Sequence, residues 1–390
     1  MEHIGTETAF EAAARARKLA ESGRDVIHLH LGEPDFDTPP NVVAAAERAL
    51  ADGQTHYAPP LGLPAFREAI AADSVRRRGV EVHPDQVVVT PGAKPVMAFA
   101  LMALVEPGDE VILPDPGFPI YASMARFMGA TAVPLPLQAS DGFRFDPTRL
   151  TALVTPRTRM IILNSPQNPT GAVLSKADVE AIAEVAMAND LVVLADEIYA
   201  RIIHDGEHHS IVAVDGMAER TIVLDGLSKA YAMTGWRLGW GILPRPLLPA
   251  FERLVINTVS CTATYAQLAG VEALTGPQDA VDAMVMEFRA RRSLVIDGLN
   301  AIPGLAAPMP SGAFYAFPDV SATGLDGATF AGRLLEEAGV SVLAGTSFGG
   351  SAVGHVRISY ANSRANLEEA LARMARFVAA TSPGQADPGG

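Results

Sequence analysis

Lys229 stands in Asp225-Gly226-Leu227-Ser228-Lys229-Ala230-Tyr231, directly after a β-branched apolar run and among small and aromatic residues that are poor surface companions. Arg237 follows in Thr234-Gly235-Trp236-Arg237-Leu238-Gly239, where a guanidinium would hold an anion and disfavour the protonated amine of Lys229. A lysine so placed can attack a carbonyl carbon; the plainer reading is a solvated surface charge. Other polar residues occupy similar positions. Met160-Ile161-Ile162-Leu163 runs into Asn164-Ser165-Pro166-Gln167-Asn168-Pro169-Thr170-Gly171, a proline-stiffened turn that either presents Asn168 to a ligand oxygen or is only rigid. Leu191-Val192-Val193-Leu194 runs into Ala195-Asp196-Glu197-Ile198-Tyr199, a carboxylate at a strand tip with a phenol one helical turn on, although an Asp there is more often an N-cap. Val87-Val88-Val89 runs into Thr90-Pro91-Gly92-Ala93-Lys94, where the first N–H groups of a following helix can hold a phosphate, or where Gly92 merely serves the turn.

These residues share one structural requirement. In an open parallel sheet, ligands bind beyond the carboxyl ends of the strands, so a single sheet would gather them. The runs at 87–89, 110–113, 160–163, 191–194 and 221–224 are short, continuous and apolar, and they alternate with helical stretches, as strands buried on both faces must. The expected class is α/β with a mainly parallel central sheet flanked by helices. Ahead of it, residues 9–22 read as a helix stopped by Gly23, 26–31 as extended chain, 33–40 as a Pro/Asp-rich loop and 42–52 as a helix. Beyond Pro244 the pattern turns to longer helices, notably 279–300, and then to a mixed segment over 314–377. The Pro/Gly/Ser-rich end, 381–390, reads as a disordered tail.

Composition narrows the function. With 390 residues, 49% of them apolar and 19% charged, the chain suits a large domain with a smaller α+β one. A net charge of −14 repels nucleic acid and anionic membrane surfaces. Cys261 is the only cysteine, which rules out an internal disulfide and a cysteine-based zinc cluster and suits a reducing cytoplasm; no metal site is expected. The start, Met1-Glu2-His3-Ile4-Gly5, lacks the basic flank and apolar run of a secretory signal, and the most apolar stretch, 95–105, is too short to span a bilayer.

In order along the chain, Asn168-Pro169-Thr170-Gly171, Asp196-Glu197-Ile198-Tyr199, Ser228-Lys229 with Thr234-Gly235-Trp236-Arg237, and His355-Val356-Arg357-Ile358-Ser359 resemble the motifs of the class I/II aminotransferases of pyridoxal-phosphate (PLP) fold type I. Within that family the chain is most similar to the bacterial aspartate-aminotransferase-like branch, over residues 9–377. The resemblance implies a homodimer that moves an amino group between an L-amino acid and a 2-oxo acid. Lys229 would carry the cofactor as an aldimine and shuttle the proton, and Asp196 would pair with the ring nitrogen. Tyr199 and Asn168 would bond the ring's 3-oxygen, and Phe118 would stack on the ring. Ala93, Lys94 and Arg237 would hold the phosphate, with Tyr57 reaching it from the partner subunit. Arg357 would take the substrate α-carboxylate beside Gly32. The implied division is a large PLP-binding domain over 46–285 and a small domain from 1–45 and 286–380. One position departs from the pattern: many relatives carry a phosphate-binding serine where this chain has Gly226, for which Ser228 is the candidate substitute.

Other readings compete. The same scaffold supports carbon–sulfur β-elimination, decarboxylation and cyclisation of amino acids. A nicotinamide dehydrogenase would suit the sheet, but no strand is followed by Gly-x-Gly-x-x-Gly. A non-catalytic binding protein would have no need of Lys229, Asp196 and Arg357 together.

Overall fold

The structure, a computed structural model, describes residues 8–381; the acidic start at 1–5 and the tail from residue 382 lie outside the described residues. The strands in chain order are β1 (Ile27–His28), β2 (Val87–Pro91), β3 (Glu110–Asp115), β4 (Thr131–Pro136), β5 (Thr158–Asn164), β6 (Val192–Asp196), β7 (Thr221–Gly226), β8 (Leu238–Ile242), β9 (Tyr315–Ala316), β10 (Val340–Ser341), β11 (Leu343–Ala344) and β12 (Val356–Ser359). Seven of them form the central sheet in the order β2-β8-β7-β6-β5-β3-β4. The run from β7 through β4 is parallel, and β8 lies antiparallel to both β7 and β2.

The inner strands are buried on both faces, and their side chains alternate between two cores. Ile161, Leu163, Val193 and Ala195 pack under the helix Lys176–Ala188. Met160, Ile162, Leu194, Ile222 and Leu224 face the helices Lys94–Leu104 and Pro119–Phe127. This alternation decides which residue at each strand tip faces which side of the sheet.

Two strands of this sheet escaped the sequence reading. The edge strand β4 contains Pro134 and Pro136, which an edge tolerates because one row of its backbone groups needs no partner. In β8, Leu238-Gly239-Trp240-Gly241-Ile242, glycine alternates with large apolar residues, which weakens the strand pattern. The extended reading of 26–31 shrinks to β1, which pairs in parallel with β10. The helix read over 279–300 is present as Asp279–Asn300. A three-stranded antiparallel sheet, β11-β12-β9, carries Arg357. Among the described residues no helix is long and apolar enough to cross a membrane.

Candidate active site

A cavity of about 460 Å³ opens at the carboxyl ends of the central strands. The turn after β2 forms one wall. Thr90 Oγ1 donates to the Gly92 carbonyl at 2.7 Å, and Gly92 holds φ +81°. The loop is pressed from behind: a Cβ on Gly92 would lie 2.2 Å from Arg237 Nη2, and one on Gly239 of β8 would lie 2.5 Å from Ala93 N. Only glycine allows these approaches. Arg237 itself has φ +53°, a strained conformation of the kind that collects at functional sites, and its Nη1 donates to the Thr234 carbonyl at 2.8 Å. Ala93 and Lys94 open the helix Lys94–Leu104 on the cavity wall, beside Ser228 and Arg237. Together these groups make an anion cradle. Gly226 has its own reason: a Cβ there would sit 3.0 Å from Gly239 Cα and Leu238 O, so a serine would crowd β8.

The floor is built from the tips of β5 and β6. Asp196 is buried, and its Oδ2 accepts from Tyr121 OH at 2.6 Å while Oδ1 accepts from Ile198 N at 3.2 Å. Burial raises its pKa to about 6, against the lowering effect of Tyr121 and Ile198, and the carboxylates of Asp225 and Glu197 add to the rise. Tyr199 reaches the cavity from a turn rather than from the expected helical turn. Its hydroxyl lies 2.7 Å from that of Tyr315, and burial, followed by Tyr315, raises its pKa well above the usual phenol range. Asn164 ties the floor together, donating to the Asp196 carbonyl at 3.1 Å and accepting from Asn168 N at 2.8 Å.

Lys229 Nζ donates to the Gly32 carbonyl at 2.5 Å and lies 6.0 Å from the Tyr199 ring centre. Gly32 is fixed by contact, since a Cβ would fall 2.1 Å from Tyr315 OH. Arg357 is buried between Tyr315 and Phe348, at 4.5 and 4.9 Å from their ring centres. Its Nη1 donates to Asn168 Oδ1 at 2.9 Å and its Nη2 to the His30 carbonyl at 2.6 Å. Its Nε is buried with no acceptor among the described residues, while the guanidinium lines the cavity wall. The His30 ring has its pKa lowered to about 4 by burial, then by His28 and Arg357, so it is neutral beside that cation.

Phe118 also lines this cavity, with Lys94 Nζ 5.5 Å from its ring centre. All the residues picked from the sequence therefore meet in one place except Tyr57, which is 90% exposed on a loop outside the cavity of its own chain. Tyr121, Tyr315 and Asn164 were not picked. Asn164 was legible as the first polar residue after an apolar strand. Tyr121 and Tyr315 sit inside apolar runs that read as core.

The family model described as aminotransferase class I and II matches residues 24–374. The chain is 42% identical over 378 residues to the arginine–pyruvate transaminase of Pseudomonas aeruginosa, covering 97% of this chain and 96% of that protein. It is 44% identical to the aspartate/prephenate aminotransferase of Thermus thermophilus, covering 94% of each. The structure of the Thermus thermophilus aspartate aminotransferase with maleate superposes with TM-score 0.92 at 42% identity, covering 96% of this chain and 97% of that one. That of the Rhizobium meliloti aspartate aminotransferase gives TM-score 0.93 at 39% identity, with the same coverage.

Proposed function

The chain belongs to the class I and II aminotransferases, and from that footing we propose how its own residues divide the work of the reaction. The protein is a PLP-dependent aminotransferase of fold type I that moves an amino group between an amino acid and a 2-oxo acid. The cavity fits the cofactor: a glycine-tight anion cradle at one end, a buried carboxylate on the floor and a lysine amine opposite. When bound, PLP supplies an aldehyde carbon that takes up the amino group and a protonated ring that accepts the electron pair released at the α-carbon.

In our reading Arg237, Ser228 and the N–H groups of Ala93 and Lys94 hold the phosphate, and Phe118 covers the ring. Asp196 keeps a proton at the ring nitrogen, held in line by Tyr121. Tyr199 and the Asn168 amide donate to the ring's 3-oxygen; Asn168 Oδ1 already accepts from Arg357, which leaves Nδ2 to donate. Arg357 grips the substrate α-carboxylate and so sets the α-hydrogen toward Lys229, whose amine takes that proton and returns it. The observation that carries this division is that the buried Arg357 guanidinium lines the same cavity as Lys229 and Asp196.

We read the enzyme as a homodimer in which Tyr57 of the partner subunit completes the phosphate site, a reading supported by its exposure. The single cysteine supports a reducing cytoplasm. The test is chemical. Borohydride reduction of the yellow holoenzyme should fix the cofactor on the peptide bearing Lys229, and Lys229→Ala should lose turnover with every pairing of aspartate, arginine or an aromatic donor with two 2-oxo acids. Cofactor fixed at Lys94 instead would overturn the assignment.

A further inference from the structure

Behind the cavity floor the helix Pro64–Arg78 ends in Arg76-Arg77-Arg78, and Gly79 stops it in the left-handed conformation at φ 69°. Arg78 does not line the cofactor cavity, yet its side chain is only 1% exposed. Its Nε donates to Glu197 Oε2 at 2.6 Å and its Nη2 to Asp225 Oδ2 at 2.5 Å. Glu197 follows Asp196 in the chain, and Asp225 follows Leu224, the β7 residue paired with Asp196. Because strand side chains alternate, Asp196 and Leu224 face the cavity while Glu197 and Asp225 turn to the other side. One guanidinium thus spans two strand tips directly behind the carboxylate on the floor.

We propose that Arg78 is a positioning residue for amino-group transfer: by bridging Glu197 and Asp225 and offsetting part of their charge, it lets Asp196 hold its own negative charge at the cavity floor. The inference rests on the reading of Asp196 as the partner of the cofactor's ring nitrogen.

Three carboxylates at two adjacent strand tips repel one another, and in a buried setting that repulsion is weakly screened. Glu197 has further support from His208 Nε2 at 3.2 Å and from the Ser210 hydroxyl. Asp225 shares Arg77, at 3.1 Å, with Asp73, which also pairs with Arg76. On the cavity side, Asp196 meets the neutral phenols of Tyr121 and Tyr199, with Lys94, Lys229, Arg237 and Glu33 further round the wall. Among the described residues only Arg78 bonds both Glu197 and Asp225. Burial alone would raise the pKa of Glu197, but Arg78, followed by His208 and Ser210, holds it far below the usual carboxylate range. Without Arg78, the charge on Glu197 and Asp225 would act on Asp196 and favour its protonation. Lysine keeps the charge but lacks the planar fork that serves both carboxylates.

The test compares Arg78→Met, the double variant Arg78→Met/Glu197→Gln, and Asp196→Asn. In the holoenzyme, Arg78→Met should move the acid limb of the kcat–pH profile up by about one unit, with the donor KM changed less than about threefold. In cofactor-free full-length protein, the proton uptake assigned to Asp196, taken as the difference from its Asn variant in the same background, should shift up by a similar amount. Adding Glu197→Gln removes one stranded charge and should return both midpoints at least halfway. Should Arg78→Met not fold, Arg78→Lys should show the same upward shifts at smaller size. Unmoved midpoints in the variant that folds, whether or not its melting temperature falls, would overturn the inference. Near-normal turnover in Asp196→Asn would instead overturn the cofactor reading on which it rests, and that failure is visible separately.

Discussion

At the scale of single residues, Asp196 carries the sharpest physical consequence. Its pKa in the fold is raised to about 6, chiefly by burial, whereas an unfolded aspartate titrates near 4. The fold therefore favours the neutral carboxyl, so the contribution to stability is fully present below about pH 4 and is lost as the pH rises through about 6. Denaturant unfolding of cofactor-free protein should show wild type losing on the order of 3 kcal/mol relative to Asp196→Asn between pH 4 and pH 8. A flat difference would mean that Tyr121 and the Ile198 N–H offset the burial completely. Lys229, Asp196 and Arg357 were legible because each sits in a short motif at a strand tip or on a strand. Arg78 was not, since its partners lie 119 and 147 positions away and nothing in Arg76-Arg77-Arg78 marks one arginine as buried.

At the scale of elements, the site depends on how closely β8 approaches the turn after β2. Four of the five apolar runs announced the parallel strands β3, β5, β6 and β7, because strands buried on both faces must be continuously apolar. The antiparallel β8 stayed hidden behind Gly239 and Gly241, yet Gly239 lets the anion cradle form. A methyl group on Gly239 would stand 2.5 Å from Ala93 N and 2.6 Å from Gly92 C, both backbone atoms that cannot swing aside. Gly239→Ala should cost about 1–3 kcal/mol of stability and weaken cofactor binding at least roughly tenfold, because relief comes only by moving the cradle. Gly332→Ala, where a Cβ meets nothing within 4 Å in the helix Gly327–Ala338, is the control and should leave cofactor affinity unchanged. Equal effects of the two substitutions on cofactor affinity, read by equilibrium titration, would show that the approach of β8 is irrelevant to the cradle.

At the scale of the whole molecule, chain ends far apart in sequence meet at the site: Arg357 of β12 donates to the carbonyl of His30, and β1 pairs with β10. This is what the proposed small unit, 1–45 with 286–380, would need in order to deliver Gly32 and Arg357 to a large unit over 46–285. Tyr57 is the piece that one chain leaves outside. Its neighbour His56 is anchored by Thr264 Oγ1 at 2.6 Å and Ala58 is buried, so the loop is held while the phenol stays 90% exposed. If the phenol serves a phosphate across a two-fold axis, Tyr57→Phe should weaken cofactor binding about ten- to a hundredfold, the worth of one hydrogen bond to a charged group. Mixed dimers tell whose site it serves. Tyr57→Phe dimers lack the phenol in both sites, and Lys229→Ala dimers lack the amine in both. In a mixed dimer, the subunit that keeps Lys229 receives the partner subunit's Tyr57, so one site is whole. Co-expression of the two variants should therefore restore wild-type cofactor affinity to about a quarter of all sites. Activity at limiting cofactor measures that fraction, and no recovery above the Tyr57→Phe level would place Tyr57 outside the partner's site.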